Sequence, residues 1–319
     1  MDCMISRRMV LVGCVSVFMK TANAQSSRVW RVAYLASGRA TVTVPVIKST
    51  LHRLGYEEGK NLVFDVREAN GRYLELPDLM QQLLASKPDV IVAEATPAIA
   101  VAQRATSSIP IIMSPSTDPI GSGFIKSFAH PGGNITGVAN MFGDTTAKTL
   151  DIIRLVFPAA RKLAVLTSSN PTHPRLFDVA SRAAAGIGIS AERFIAPNPE
   201  DLKKAFEEMK AGNCDVAYVL ADPVRPALPA IALDYHVPSV FQVNSYTELG
   251  GLMSYGPDIL SLFVLAAHYV DRLFKGGKPA EMPVQQPTQF VFTVNLRTAK
   301  ALGLSIPESV LVMADKVIE

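Results

Sequence analysis

Small hydroxyls, one amide and three carboxylates stand where apolar segments of this chain end. Ser37 follows the run 29–36, Asn170 closes Ser168-Ser169-Asn170 after 163–166, and Asp222 follows 216–221 directly. Thr96 comes after 90–95, while Ser116 and Asp118 lie in Ser-Pro-Ser-Thr-Asp-Pro (114–119) after 111–113. Hydroxyls beside the free N–H groups of a helix start hold a carboxylate, and a half-buried carboxylate needs a cation or donors to offset its desolvation. This set recognises a small polar molecule: Thr96 and Ser116 for its carboxylate, Asp222 for an ammonium. Each residue also has an ordinary structural use. Thr96 before Pro97 makes a helix N-cap, and Asp118 and Asp222 before prolines make turns. Glu94 interrupts an otherwise apolar run near its end, so it requires a cation or a polar ligand group, and Arg39 and Arg225 are candidate partners.

Catalytic patterns are missing. No Gly-x-Ser-x-Gly, His-Glu-x-x-His or Cys-x-x-Cys occurs, and Gly121-Ser122-Gly123 lacks the third glycine of a dinucleotide loop because Lys126 stands there. Gly277-Lys278 is followed by Pro279 and makes no phosphate loop. The five histidines, His52, His130, His173, His236 and His268, are widely separated, with no carboxylate at a metal-ligand spacing. No cofactor, metal or catalytic residue is expected, and the chain is not expected to be an enzyme.

The elements that must position the polar residues alternate strand and helix. Strands are expected at 29–36, 62–68, 90–95, 111–113 and 135–139, with helices between them. Residues 75–86 carry Leu76, Leu79, Met80, Leu83 and Leu84 on one helical face. The rhythm restarts with a helix at 147–156 and strands at 163–166, 189–195, 216–221 and 239–243. Two tandem units of open, doubly wound α/β type result. Ligands bind such sheets outside the carboxyl ends of the strands, so two facing units place their polar strand ends around one cleft.

Residues 1–24 read as an export signal. Arg7 and Arg8 precede an uncharged run, 9–19, and Ala22-Asn23-Ala24 offers a cleavage site. The run is too short to span a bilayer, which takes about 20 apolar residues. The two arginines fit either the twin-arginine or the general secretory route. Leu11-Val12-Gly13-Cys14 leaves a lipid anchor as a lesser alternative. Export to the periplasm is expected. Of the net charge of +3, the cations Arg7, Arg8 and Lys20 with the acid Asp2 carry +2, so the remainder is nearly neutral. Nucleic acid is therefore not an expected partner. Cys3 and Cys14 fall in the leader, and Cys214 beside an apolar run is a structural thiol. Hydrophobic residues make up 49% and charged residues 18% of the 319, which suits large cores and excludes general disorder.

Several long stretches carry a resemblance. LGYEEGKNL (54–62), VIVAEATPA (90–98), DPIGSG (118–123), HPGGNITG (130–137), GGLMSYGPD (250–258) and QPTQFVFTVNLRTAKALGLSIP (286–307) occur in one order. In these the chain resembles the substrate-binding proteins of ABC importers, over nearly all of residues 28–319. The resemblance implies a type I periplasmic binding-protein fold, two lobes joined by three crossovers. It places 28–142 and 252–281 in lobe 1, and 143–251 and 282–319 in lobe 2. It also implies a monomer that closes on a small molecule and delivers it to a membrane permease. Some relatives bind aromatic amino acids, which suits hydroxyls for a carboxylate and Asp222 for an ammonium. The alternative role is a sensory protein that presents its ligand to a signalling receptor. Relatives usually carry small apolar residues or glycine where Glu94 and Ala95 stand, and the segment 224–236 is a little shorter here.

Overall fold

A computed structural model describes residues 28–319, so the leader and its cleavage site lie outside the described residues. Five strands build the first sheet: β1 (Trp30–Ala36), β2 (Leu62–Glu68), β3 (Val90–Glu94), β4 (Ile111–Ser116) and β5 (Ile135–Ala139). All are parallel, in the order β2-β1-β3-β4-β5. Helices cover both faces, so the inner strands are buried on each side and read as continuous apolar runs. β3 is buried along its whole length, Glu94 included.

The second sheet begins with β6 (Lys162–Thr167), β7 (Ser190–Ile195), β8 (Val216–Val219), β9 (Ser239–Phe241) and β10 (Met253–Pro257). β11 (Phe290–Asn295) and β12 (Lys316–Ile318) complete it, in the order β12-β11-β10-β9-β8-β6-β7. Its first five strands repeat the winding of the first sheet, and among the described residues only β10 and β11 pair antiparallel. The tandem units are therefore two doubly wound lobes, each with cores on both faces of its sheet.

The crossovers differ in detail from the expected boundaries. β10 was expected in lobe 1, but it pairs with β9 (Met253↔Val240) and β11 (Met253↔Val294) in the second sheet. The return to lobe 1 thus comes at Pro257 and Asp258, where Asp258 caps the helix Ile259–Phe274 by accepting from Leu260 N–H. That helix packs against the helix Thr43–Arg53 and seals one core of lobe 1 with Leu262, Phe263 and Ala266. Phe142, at the expected end of lobe 1, is buried in a core of lobe 2. Met282 and Val284 still pack on lobe 1, and Gln285 bridges to Val138, so the last crossing lies at 286–289 rather than at Met282. A strand's own apolar pattern shows that it is buried, not which sheet it joins.

Candidate ligand-binding cleft

The strand ends of the two lobes meet. A 3₁₀ turn after β2, Tyr73–Glu75, brings the Tyr73 hydroxyl to Asp222 Oδ1, just past β8. Arg72 pairs with Glu200 at 2.7 Å, and Arg175 pairs with Asp118, each across the cleft. Gly38 lies so close to Pro223 that a Cβ on it would stand 2.4 Å from the proline Cβ. The cleft is closed.

Asp222 is at its centre and already has partners. Its side chain is 7% exposed, and Oδ2 accepts from Arg225 Nη2, whose side chain is 9% exposed. Oδ1 accepts from Tyr73 and from Asn170 Nδ2 at 3.3 Å. Burial alone would raise the Asp222 pKa, but Arg225, His173 and Tyr73 outweigh it and hold the carboxyl below its ordinary range. Burial likewise opposes the Arg225 charge, yet Asp222 keeps that group more basic than usual. The ammonium expected at Asp222 therefore meets a carboxylate whose charge a protein guanidinium already balances. Arg225, three residues on in the same turn, is one of the two candidate partners the sequence offers Glu94; the structure pairs it with Asp222.

Asn170 holds the loop after β6 in shape. Its Oδ1 accepts from Thr172 N at 3.1 Å and Thr172 Oγ1 at 2.9 Å. His173 starts the next helix, buried, with Nδ1 accepting from Ser168 N at 2.7 Å. Its Nε2–H therefore donates to Ala221 O at 3.0 Å, which fixes the neutral tautomer. Burial lowers its pKa further.

On the lobe 1 side, Glu94 Oε2 accepts from Tyr34 OH at 2.5 Å and Thr43 Oγ1 at 3.1 Å. Burial raises its pKa to about 7, against the pull of those two hydroxyls, and the nearby Glu68 adds to the rise. The polar partner expected for Glu94 is thus a pair of hydroxyls, not a cation, and Arg39 is exposed. Ser37 Oγ donates to Glu94 O at 2.8 Å and accepts from Ala98 N at 3.1 Å, tying β1 to the start of the helix Ala95–Ala105.

Thr96 is not the N-cap of that helix. Glu94 holds the extended capping position and Ala95 turns the chain with φ +65°. Thr96 Oγ1 instead accepts from Thr117 N at 3.2 Å, joining the ends of β3 and β4. Ser116 is buried at the end of β4, and its carbonyl accepts from Asn140 N at 3.0 Å at the first crossover. Asp118 is both a turn residue, accepting from Gly121 N at 3.0 Å through Oδ1, and the partner of Arg175.

Direct bonds thus join Asp222 to Asn170 and Ser37 to Glu94, and Thr117 stands between Thr96 and Ser116. Glu94 and Asp222 sit on separate lobes in separate networks. Tyr73, Tyr34 and Thr43, which bond directly to the candidate residues Asp222 and Glu94, are absent from the candidates the sequence offers. A tyrosine shortly after β2 has no local pattern that announces a partner 149 residues away.

The chain is similar to known proteins over most of its length. The family model described as ABC transporter substrate binding protein matches residues 36–318. A tyrosine-binding protein of Clostridioides difficile (strain R20291) is 26% identical over 259 residues, covering 78% of this chain and 73% of that protein. The crystal structure of a conserved domain protein from Vibrio cholerae superposes with a TM-score of 0.85 at 28% identity, covering 91% of this chain and all of that one (100%). A structure of an ABC domain in complex with L-Trp from Streptococcus pneumonia gives a TM-score of 0.80 at 26% identity, with 91% and 100% coverage.

Proposed function

Because the chain belongs to the family of ABC transporter substrate-binding proteins, we propose that it captures a small carboxylate-bearing molecule, an amino acid or close analogue, between its lobes. It is an exported receptor that works by capture and release with an ABC permease, not by catalysis. The periplasm is its proposed compartment, and a monomer its proposed working form. The observation that carries the reading is the cleft itself. Polar strand ends of both sheets close on each other through Tyr73 and Asp222. In such a hinge the ligand stabilises the closed form by its greater affinity for it. The ligand class rests on the two relatives, one named for tyrosine and one solved in complex with L-Trp; the Thr96 and Ser116 hydroxyls, expected to hold a carboxylate, are instead buried against the Thr117 backbone.

Native mass spectrometry of the purified protein, followed by identification of any retained molecule, tests the ligand class. A small carboxylate is expected. Scattering before and after its removal should show a larger radius for the emptied receptor. A radius that stays fixed while the ligand saturates and leaves would refute closure as the mode of capture.

A further inference from the structure

The Asp222–Arg225 pair bears on what the cleft accepts. Among the described residues, the hydrogen-bond partners of Arg225 lie in lobe 2. Nη2 reaches Asp222, Nη1 donates to Ala196 O at 2.9 Å, and its backbone N–H donates to Tyr246 OH at 3.0 Å. These bonds do not involve lobe 1, so lobe 2 carries the pair whether the cleft is open or closed. On closing, Tyr73 adds a third donor to the same carboxylate, beside Asn170. Both oxygens of Asp222 are then engaged and its charge is balanced.

An ammonium group entering here would meet a carboxylate that already accepts from Tyr73, Asn170 and Arg225 and whose charge Arg225 balances. It would also stand beside a guanidinium that cannot lose its proton. A hydroxyl, a carbonyl oxygen or a plain methylene brings no second positive charge beside Arg225. We infer that the cleft selects small carboxylates that lack a free α-ammonium group, such as 2-hydroxy, 2-oxo or deaminated analogues of amino acids. This rests on the receptor reading above and narrows its ligand class. The same geometry makes Arg225 the specificity residue, because it occupies the place that a ligand cation would take.

The test uses the purified protein and matched probes. Calorimetry compares L-tyrosine with 3-(4-hydroxyphenyl)lactate, 3-(4-hydroxyphenyl)propionate and tyramine. Thermal shift extends the comparison to the other amino acids and their 2-hydroxy, 2-oxo and deaminated counterparts. Within any pair that binds, the acid without ammonium should bind at least ~10-fold more tightly, and tyramine should not bind. An amino acid that binds as well as its counterpart, or better, overturns the inference and leaves the receptor reading standing. No binding in either series overturns both the inference and the carboxylate reading. Arg225→Gln supplies a second readout, since it frees Asp222 for a cation. If the variant folds, its preference should move toward the amino acid by ~10-fold or more. An unmoved preference refutes the role of Arg225. If it does not fold, the wild-type series decides alone.

Discussion

Tyr73 of lobe 1 donates its hydroxyl to the carboxylate of Asp222 in lobe 2, and the bond exists only while the lobes are closed. Burial raises the Tyr73 pKa well above its ordinary value, and the Asp222 charge raises it further, so the phenol stays a donor at any physiological pH. A hydrogen bond to a charged group contributes about 1.5–3 kcal/mol. Tyr73→Phe should therefore shift the balance toward the open form and weaken ligand binding roughly 10- to 100-fold. The melting temperature of the ligand-free protein should hardly change. Scattering and calorimetry on that variant check it; full affinity with full closure would show that the bond contributes nothing.

Asp222 itself behaves differently from a carboxylate that waits for a ligand cation. Removing it leaves Arg225 buried and unpaired, and breaking a buried pair on one side typically costs about 3–5 kcal/mol. Asp222→Ala should thus lower the melting temperature of the empty protein, whereas a carboxylate awaiting its ligand would leave it unchanged. Replacing both members together, Asp222→Leu with Arg225→Met, should recover much of the loss. A melting curve of Asp222→Ala that overlies the wild type would contradict the pairing seen here.

The outline of this fold was legible because parallel buried strands write themselves as apolar runs. β3 and β5 fall almost where those runs place them, and Glu94 announced itself as a polar break in one of them. What escaped was relational. The sheet that β10 joins, the partner of Arg225 and the reach of Tyr73 all depend on contacts distant in sequence. Ala95 shows a different limit. A left-handed turn is signalled by glycine or asparagine, and alanine at φ +65° gives no such sign, so the sequence places the helix start two residues late, at Pro97 instead of Ala95.

The Glu94 carboxyl makes stability depend on pH. Its pKa rises from 4.5 to about 7 in the fold because burial disfavours the charged form. Between those values the folded chain keeps a proton that the unfolded chain releases. Stability is then full below the unfolded value and falls as pH rises toward 7, by up to roughly 3 kcal/mol. His173 works the other way. Its pKa is lowered by burial, so its contribution is lost as pH falls through the ordinary histidine range. The difference between wild type and Glu94→Gln isolates the carboxyl. That difference should grow in favour of the variant from acid to neutral pH, in melting curves taken at several pH values. A constant difference would mean that Glu94 has the same pKa folded and unfolded.

Gly38 offers a way to separate folding from closure. It sits in the loop after β1, outside the left-handed region, so its own backbone tolerates alanine. The Cβ of that alanine would meet the Pro223 Cβ at 2.4 Å, and proline has no flexible end that can swing aside. The clash lies between lobes, so the open form escapes it and the closed form does not. Overpacking of this kind costs about 1–3 kcal/mol, which falls wholly on closure. Gly38→Ala should therefore weaken ligand binding by roughly 5- to 100-fold, by the same conversion of energy to affinity. It should also keep the melting temperature of the empty protein and enlarge the scattering radius at a given ligand concentration. Unchanged affinity in this variant would mean that Gly38 and Pro223 do not approach this closely when the receptor holds its ligand.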